Sequence, residues 1–432
     1  MLRRHVLALL CCLPLSAVGQ ERPIAFTGAT ILPVSGDAIE NGTLLVQRGR
    51  IVAVGTDVRI PSGAEHRDVS GKVIMPGLVD THSHIGQAAG GDRSAPIQPD
   101  VRVLDSINVR HAGIAKARAG GITTVNVMPG SGHLLSGQTL YLKLRRGTTV
   151  DDLSIRLDDG SLAGGIKMAN GTNPIRPAAP FPGTRAKSAA LMRAQLVAAQ
   201  EYCAKMADRN LAAERKPARD LGKEALCEAL DGRRIVHHHT HRHDDILTVL
   251  RLAEEFKLRV VLQHAVDAWL VVDEIAASGA PVSTLLLDSP GGKLETLNVN
   301  SAAPAILERA GVPTGFHTDD PIIDSRLLLR QAAMAVRAGM SREGALKALT
   351  INGARMLDLD RRTGSLEAGK DADFIILSGD PLSVYTQVLE TWVEGAQTFN
   401  RADPDDALRA TGGYGGSRDA METDVLEMEG GV

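Results

Sequence analysis

The sequence predicts an α/β protein, a (β/α)₈ barrel of the TIM type with a small β-sandwich domain formed by both ends of the chain. Through the middle of the chain, short apolar strand candidates alternate with longer helical patterns, which is typical of βαβ units and a parallel sheet. Near both ends the sequence has β-branched residues and Asn-Gly or Gly turn signals without helical periodicity. Two β-rich ends therefore flank an α/β middle.

The composition favours a globular protein with a small-molecule partner. The chain has 432 residues, is 44% hydrophobic and carries a formal net charge of −3. Proteins that bind nucleic acid concentrate positive charge on one face, so this balance indicates no nucleic-acid partner. An aromatic content of 3% argues against a stacking platform for single strands.

The first residues have the layout of a secretory signal peptide. Arg3 and Arg4 precede an apolar run that ends in small residues, in MLRRHVLALLCCLPLSAVGQ. The run is shorter than the roughly 20 residues of a bilayer span, so we expect removal of residues 1–19, a periplasmic or secreted location and no stable membrane insertion afterwards. A buried strand or a retained anchor is the alternative. Cys203 and Cys227 remain in the exported chain and could pair there, although their spacing leaves the pairing open.

The strand candidates of the middle region account for seven of the eight barrel strands. They are KVIMPGLVDTHSH, GITTVNVM, GGIKMA, RRIVHHHTH, RVVLQHA, PVSTLLL and VPTGFHTDD, and TLYLKL at 139–144 is the candidate for the eighth. The predicted organisation is a signal peptide (1–19), the N-terminal part of the β-sandwich domain (20–70), the barrel (71–360) with a helical insertion at about 185–231, the C-terminal part of the β-sandwich domain (361–402) and a mobile tail (403–432).

The segment MPGLVDTHSHIG carries the first chemical signal. An apolar strand delivers Asp80, His82 and His84 as it ends. Alternate residues of a strand share a face, so His82 and His84 could chelate one ion.

Three later strand candidates end in the same residue types. The segment RRIVHHHTHRHDDI has five histidines in seven positions, VVLQHA ends at His264, and VPTGFHTDD contains Asp319. Imidazoles with a carboxylate are a natural ligand set for Zn²⁺. In a parallel barrel all strand carboxyl ends lie on one face, so residues far apart in sequence can share an ion.

In this order of motifs the chain resembles the amidohydrolase superfamily and is most similar to its imidazolonepropionase-like branch. The resemblance extends from about residue 23 to 400 and includes GSLEAGKDAD at 364–373, a hallmark of the closing β-domain of that family. It implies a metal-dependent hydrolase with one or two Zn²⁺ ions, in which His82, His84 and Asp319 bind one ion and His239 and His264 a second. It also implies a CO₂-carboxylated lysine that bridges the two ions.

The matches for the lysine and for one histidine leave alternatives open. Lys167 in GGIKMANGTNP is the best match for the lysine and Lys143 the second, and a salt-bridged or solvated lysine remains possible. His239 best fits the ligand of its strand, but His241 lies on the same face. His237 shares that face deeper in the barrel, whereas His238 could support the ligands, face the substrate or be packed outside the barrel.

Several polar residues near these positions are candidates for substrate contact. They are His241, His243, Arg242 and Asp320, and Arg176 is a further carboxylate anchor, with surface placement as the alternative for both arginines. Asp320 stands where the family often has a histidine, so its role is either a contact with a cationic group or simple solvation.

The combined hypothesis is hydrolysis of an amide, cyclic amide or dipeptide C–N bond, with Asp319 and His264 as catalytic residues. Asp319 would take a proton from the attacking water and pass it to the leaving nitrogen. A mononuclear deaminase or cyclic-imide hydrolase is the alternative within the same chemistry. A non-catalytic binding protein on a retained barrel is the alternative of another class. A small-molecule or dipeptide substrate and a homodimer are the expected partners.

Overall fold

The computed structural model describes residues 22–86, 88, 92, 94–286 and 293–412. The predicted signal peptide and residues 413–432 of the predicted tail lie outside these residues. In chain order, the described strands are β1 (Ile24–Ile31), β2 (Ile39–Gln47), β3 (Arg50–Gly55), β4 (Glu65–Asp68), β5 (Val73–Pro76), β6 (Leu78–Ser83), β7 (Ile122–Val127), β8 (Leu135–Gln138), β9 (Leu140–Lys143), β10 (Ile166–Ala169), β11 (Val236–Thr240), β12 (Val260–His264), β13 (Val282–Thr284), β14 (Thr314–Phe316), β15 (Phe374–Leu377), β16 (Val388–Val393) and β17 (Ala396–Asn400).

The helices alternate with the strands through the middle of the chain. They are α1 (Ala112–Ala119), α2 (Val150–Leu153), α3 (Arg185–Ala207), α4 (Leu221–Leu230), α5 (His243–Phe256), α6 (Val272–Ser278), α7 (Ala303–Arg309), α8 (Leu328–Arg337), α9 (Arg342–Leu349), α10 (Ile351–Arg355) and α11 (Pro404–Thr411). The predicted α/β class is therefore confirmed. None of the described helices combines the length and the apolar composition that a membrane span requires.

Two sheets form the wall of the central α/β region. One has the order β6-β7-β9 and the other β14-β13-β12-β11-β10-β8. Between neighbouring strands, β6 pairs with β7 in parallel, and β10 to β14 pair in parallel throughout. Backbone bonds connect the edges of the two sheets at one side, from Asp319 N to the His82 carbonyl at 2.9 Å, and at the other side, from Thr139 N to the Gly165 carbonyl at 2.9 Å. The described ladders themselves do not close into one continuous barrel sheet.

The prediction that residues 139–144 form the eighth parallel strand was wrong in the direction of the strand. Residues 139–144 include strand β9, but β9 runs antiparallel to β7, and the preceding β8 runs antiparallel to β10. Alternating apolar residues predict that a segment is extended, and they contain no information on its direction.

Helix α5 illustrates how the sequence forms the outer layer. Ile246, Val249, Leu252 and Phe256 are buried and recur at three- and four-residue intervals, so one stripe of the helix faces the sheet. Helices α3 and α4 occupy the region predicted as a helical insertion. They pack on each other and are joined by a disulfide between Cys203 and Cys227, whose Cα atoms are 5.7 Å apart.

Strands from both ends of the chain form one eight-stranded sheet in the order β17-β16-β15-β5-β1-β2-β3, with β4 paired to β1. The sheet extends past residue 70, because β5 pairs with β15 between Ile74 and Ile376. Its core contains Phe26, Phe374 and Trp392, with ring centroids 5.0 to 5.6 Å apart. The predicted mobile tail begins too early, since α11 starts with an Asp403 cap and contacts α1.

Candidate functional site

Side chains from β6, β10, β11 and β12 and from the segment after β14 meet at the carboxyl ends of these strands. In parallel strands the carboxyl ends lie on the same side of the sheet, where active sites of barrel enzymes are found. The strand ends contribute histidines, a lysine and an aspartate, all with nearly all of their surface buried except Asp319, which is partly exposed. These candidate residues therefore lie together at one end of the parallel strands.

His82, His84 and Asp319 form the first cluster. Asp319 Oδ1 lies 3.1 Å from His82 Nε2 and 3.0 Å from His84 Nε2. The other ring nitrogen of His84 is 2.7 Å from the Met128 carbonyl, which makes Nδ1 the protonated nitrogen and leaves Nε2 as the one facing Asp319. Two imidazole nitrogens and a carboxylate oxygen thus converge on one point.

The carboxylate of Asp319 is held in its ionised form. Burial alone would raise its pKa, but His82 and His264 outweigh that effect and hold the pKa of Asp319 well below its usual value. Asp319 and His264 also have φ of +50° and +66°. Side chains other than glycine rarely adopt this conformation, and such strained positions concentrate at functional sites.

Asp80 joins β6 to the end of β14. Its carboxylate accepts hydrogen bonds from the backbone N–H of His82 at 3.2 Å, from Thr318 N at 3.1 Å and from Thr318 Oγ1 at 2.5 Å. Complete burial raises the pKa of Asp80 to about 7. These contacts fix the relative positions of His82 and Asp319, so Asp80 positions the cluster.

Lys167 lies beside this cluster. Its Nζ is 3.1 Å from His82 Nε2 and 3.2 Å from Met128 Sδ, and the side chain is fully buried. Burial lowers the pKa of Lys167 to about 7, against the opposing effect of Asp319. The alternative, Lys143, lies elsewhere and forms ion pairs with Asp371, at 3.0 Å, and Asp373.

The histidines of β11 divide into two groups. His237 is in the barrel core, because Tyr141 Oη at 2.8 Å and Gln263 Nε2 at 3.1 Å occupy its two ring nitrogens. His239 and His241 face the site, with ring centroids 4.6 Å apart. Neither nitrogen of His239 has a hydrogen-bond partner. Burial lowers the pKa of His239 far below its usual value and that of His241 to about 3, which keeps both rings neutral, the form that binds metals.

His264 completes the group of rings. Its centroid is 4.5 Å from that of His239 and 5.2 Å from that of His241. His264 Nδ1 lies 3.0 Å from His317 Nε2 and 3.9 Å from Asp319 Oδ2, whereas His264 Nε2 has no hydrogen-bond partner. The ring is therefore held through one nitrogen and presents the other.

Two residues of the site were missed at the sequence level. His317 bonds His264 on one side and Ser283 Oγ, at 2.8 Å, on the other. Its position two residues before Asp319, with the alternation of a strand, was a usable signal. Glu295 lies with His239 and His241 in a group whose ligand atoms are all within 4.8 Å of one another. Glu295 lies in a single 3₁₀ turn, Leu294–Thr296, and no local pattern singles it out.

Three predicted substrate contacts have other partners. Arg242 donates to Asp244 through two nitrogens at 3.0 and 2.8 Å, and His243 Nδ1 lies 3.3 Å from Asp267 Oδ2. Asp320 is buried rather than solvated, and it accepts hydrogen bonds from Ser325 N at 2.8 Å and Ser325 Oγ at 2.7 Å. The side chain of Asp320 is thus committed to its own loop. Of the four candidates, His241 alone faces the histidine group.

Arg176, predicted as a further contact for a substrate carboxylate, also has partners within the protein. Its guanidinium donates to the carbonyls of Asn173, Ile175 and Gly132 and lies over the ring of Phe181. These contacts shape the loop that follows β10.

The donor set of the site fits a divalent metal. Buried polar atoms in proteins are nearly always hydrogen-bonded. Here several buried ring nitrogens have no such partner, namely His82 Nδ1, both nitrogens of His239, His241 Nδ1 and His264 Nε2. Neutral imidazoles and carboxylates are the ligands preferred by Zn²⁺ and similar ions.

The fold and this site define a metal-dependent hydrolase, and comparison with known proteins gives the family. Residues 109–399 match the model of the Amidohydrolase family, and the chain belongs to that family. The crystal structure of an amidohydrolase from Thermotoga maritima is similar, with a TM-score of 0.81 and 33% identity over 88% of this chain and 100% of that one.

Two relatives are similar over most of this chain. It is 27% identical to imidazolonepropionase of Deinococcus radiodurans over 89% of this chain and 98% of that protein. It is 26% identical to amidohydrolase tasK of Hapsidospora irregularis over 83% of this chain, and it spans only 40% of the length of that relative. The predicted superfamily, its imidazolonepropionase-like branch, the barrel-type fold and metal-dependent hydrolysis of C–N bonds are thereby confirmed.

Proposed function

We propose that this protein hydrolyses an amide, cyclic amide or dipeptide C–N bond of a small molecule, with zinc held first by His82, His84 and Asp319. The observation that carries the proposal is the convergence of these three side chains, with both Nε2 atoms within 3.1 Å of Asp319 Oδ1. A zinc ion bound there supplies a Lewis acid that makes a water molecule acidic near neutral pH.

The chain's own residues would move the proton. Asp319 is ionised, so its carboxylate can accept a proton from the attacking water and return it to the leaving nitrogen. His264 Nε2, which has no partner within the protein, is our candidate for contact with the substrate carbonyl. Asp80 and Thr318 hold β6 and β14 together, which keeps the histidine pair aligned with Asp319.

The test uses metal content and turnover together. We expect His84→Asn and Asp319→Asn each to lose tightly bound zinc, measured by mass spectrometry on protein purified without chelators, and to lose hydrolysis across a panel of dipeptides and cyclic amides. His66→Asn is the matched control, because His66 is an exposed histidine of β4. Unchanged zinc in both site variants would contradict the proposal. Turnover of amino-substituted rings or cyclic imides alone would favour a deaminase or cyclic-imide hydrolase.

We also propose export with removal of residues 1–19. The apolar run after Arg3 and Arg4 supports it, and so does the pairing of Cys203 with Cys227, because disulfides persist in oxidising compartments. Sequencing the N-terminus of the protein recovered from the periplasm or medium tests this, and an intact N-terminus in the cytoplasm would contradict it.

For the eight-stranded sheet we propose a small β-sandwich. The support is its branching, since β1 pairs with β4 through residues 24–27 and with β5 through residues 30–31, and its aromatic core. An experimental structure of the mature chain tests whether the two branches face each other.

A further inference from the structure

We propose that a cavity at the amino ends of β11, β12 and β13 binds a zwitterionic small molecule with a large apolar side chain, such as an apolar α-amino acid. The cavity has a volume of about 840 Å³ and is lined by residues of helices α5 and α6. Ile235, Val260 and Pro281 line it at the start of the three strands. Small-molecule sites in proteins have volumes of about 300–1,000 Å³, so the cavity has the size of such a site.

The cavity is separate from the candidate metal site. The histidines lie at the carboxyl ends of the strands, whereas the cavity is at the amino ends. Strand β11 extends from Val236 to Thr240, and at about 3.3 Å per residue its two ends are roughly 13 Å apart. Of the described residues that line the cavity, none belongs to the histidine and aspartate clusters. The proposal therefore goes beyond the proposed function and does not depend on it.

The sizes of the residues on the two helices explain why this space is open. Leu247 and Leu250 of α5 line the cavity and are only half-buried, in addition to the buried stripe of α5 that faces the sheet. The wall formed by α6 ends in the small residues Ala277, Ser278 and Gly279. Protein interiors are close-packed, but these small residues leave the space beside the leucines unfilled. The leucines thus offer an apolar wall to a ligand.

Two arginines bring positive charge to the wall of the cavity. Arg251 donates to Thr248 Oγ1 at 2.8 Å, and Arg355 donates to Asn352 Oδ1 at 3.4 Å. These partners are uncharged, and within the described part of the chain no carboxylate lies at ion-pair distance from either guanidinium. A guanidinium has a planar fork of N–H donors that matches a carboxylate. Arg251 and Arg355 are therefore available to bind the carboxylate of a ligand.

Two carboxylates of the same wall fit the ammonium group of such a ligand. Glu254 of α5 and Glu274 of α6 line the cavity, and in the ranges that the structure describes neither side chain has an ion-pair partner. Arg259, the third guanidinium of the wall, already pairs with Asp358 at 2.6 and 2.8 Å. The remaining wall charges are two positive and two negative, which complements a ligand that carries one charge of each sign.

The experiment measures the binding of L-phenylalanine to the full mature chain by isothermal titration calorimetry. L-Phenylalanine has no amide bond, so hydrolysis does not disturb the titration. We expect a Kd of roughly 1 mM or tighter. We expect binding at least about 10-fold weaker for 3-phenylpropanoate, which lacks the ammonium group, and for 2-phenylethylamine, which lacks the carboxylate. L-Alanine, which lacks the ring, should also bind at least about 10-fold more weakly.

A pair of variants on α6 places the ligand in the cavity. Ala277→Trp fills the cavity, so we expect it to abolish the binding of L-phenylalanine. The matched control is Ala276→Trp, because Ala276 is an exposed alanine of the same helix that does not line the cavity. The control should bind L-phenylalanine with unchanged affinity. Circular dichroism confirms that both variants are folded.

A second set of variants tests the charges and answers the question if Ala277→Trp does not fold. Arg355→Gln and Glu254→Gln should each weaken the binding of L-phenylalanine by at least about 10-fold. The matched control is Glu255→Gln, because Glu255 pairs with Arg193 instead of lining the cavity, and it should leave the affinity unchanged.

Several results would overturn the proposal. The first is the absence of L-phenylalanine binding, and the second is equal affinity for L-phenylalanine and 3-phenylpropanoate, which would show a site for simple anions. Binding that is kept in Ala277→Trp but lost in Asp319→Asn would place the amino acid at the metal site. A dimer that dissociates in Ala277→Trp, measured by sedimentation, would show that a second copy of the chain covers the cavity. None of these results bears on whether zinc binds at His82, His84 and Asp319.

Discussion

Two buried lysines on successive parts of the barrel wall have opposite surroundings. Lys143 and Lys167 are both fully buried. Lys143 lies between the carboxylates of Asp371 and Asp373, whereas Lys167 contacts an imidazole and a thioether. Removing Lys143 would leave two buried carboxylates without their lysine, so its role is structural, whereas a buried amine beside ligand-type side chains, such as Lys167, is a candidate functional group.

The cluster around Lys143 holds the closing β-domain against the barrel. Asp373 also accepts hydrogen bonds from Thr363 Oγ1 at 2.8 Å and Glu394 N at 2.9 Å, and Asp371 pairs with Arg50. The two aspartates of the GKDAD motif thus receive a lysine that is about 230 residues earlier in the chain. The motif serves the junction of the two regions, not the metal site.

The largest effect on stability is expected at this junction. Lys143→Met leaves Asp371 and Asp373 buried without their lysine, and breaking such a buried pair costs about 3–5 kcal/mol. Chemical denaturation should show this loss in the free energy of unfolding. The control is Lys347→Met, which removes an exposed pair with Glu343 and should change it by less than about 1 kcal/mol. Similar values for the two variants would contradict the contrast between the lysines.

Lys167→Met should lower activity without lowering stability. Methionine fills a similar volume and removes a buried amine, so stability should be equal or higher. Because Lys167 Nζ contacts His82 in the first cluster, we expect kcat/KM to fall by about 100-fold, which is about 2.7 kcal/mol of transition-state stabilisation. A stable, fully active Lys167→Met protein would remove Lys167 from the site.

A smaller effect is expected at His317. Its bond to His264 orients that ring, and loss of such an orienting partner typically costs 10–100-fold in activity or metal affinity. We expect this loss in kcat for His317→Leu, with the zinc content unchanged. His317→Gln should recover part of it, because an amide can bond both His264 and Ser283. Equal kinetics in the leucine and glutamine variants would speak against an orienting role.

The smallest effect is expected at Arg242. Its two bonds to Asp244 lie on a part of the surface where the arginine side chain is 41% exposed, and such pairs contribute little. Arg242→Ala should change the unfolding free energy by less than about 0.5 kcal/mol and kcat/KM by less than about twofold. A large rise in KM with an unchanged kcat would restore Arg242 as a substrate contact.

Features encoded in local sequence patterns could be predicted, whereas contacts between distant segments could not. His82, His84 and Asp319 were predictable because strand ends and alternation are local patterns, and parallel strands bring those ends together. The partners of Lys143 and the proximity of Glu295 to the histidines depend on segments that are distant in sequence. No periodic pattern near either residue predicts these contacts.

Local patterns also left two further points open, namely the direction of the strand at residues 139–144 and the choice among the histidines of β11. The pattern of residues 139–144 indicated an extended segment without its antiparallel direction. Alternation placed His239 and His241 on one face, and only tertiary contacts distinguish His237, whose nitrogens are both occupied, from those two.

The pairing of β5 with β15 also affects the order of events during synthesis. Residues 73–76 find their partners in residues 374–377, so the first strands of the chain are made long before the strand that covers their edge. Contacts this distant in sequence form late, and an uncovered strand edge is prone to association with other chains. A nascent chain must therefore keep its first strands from aggregating until nearly all of the barrel has been made.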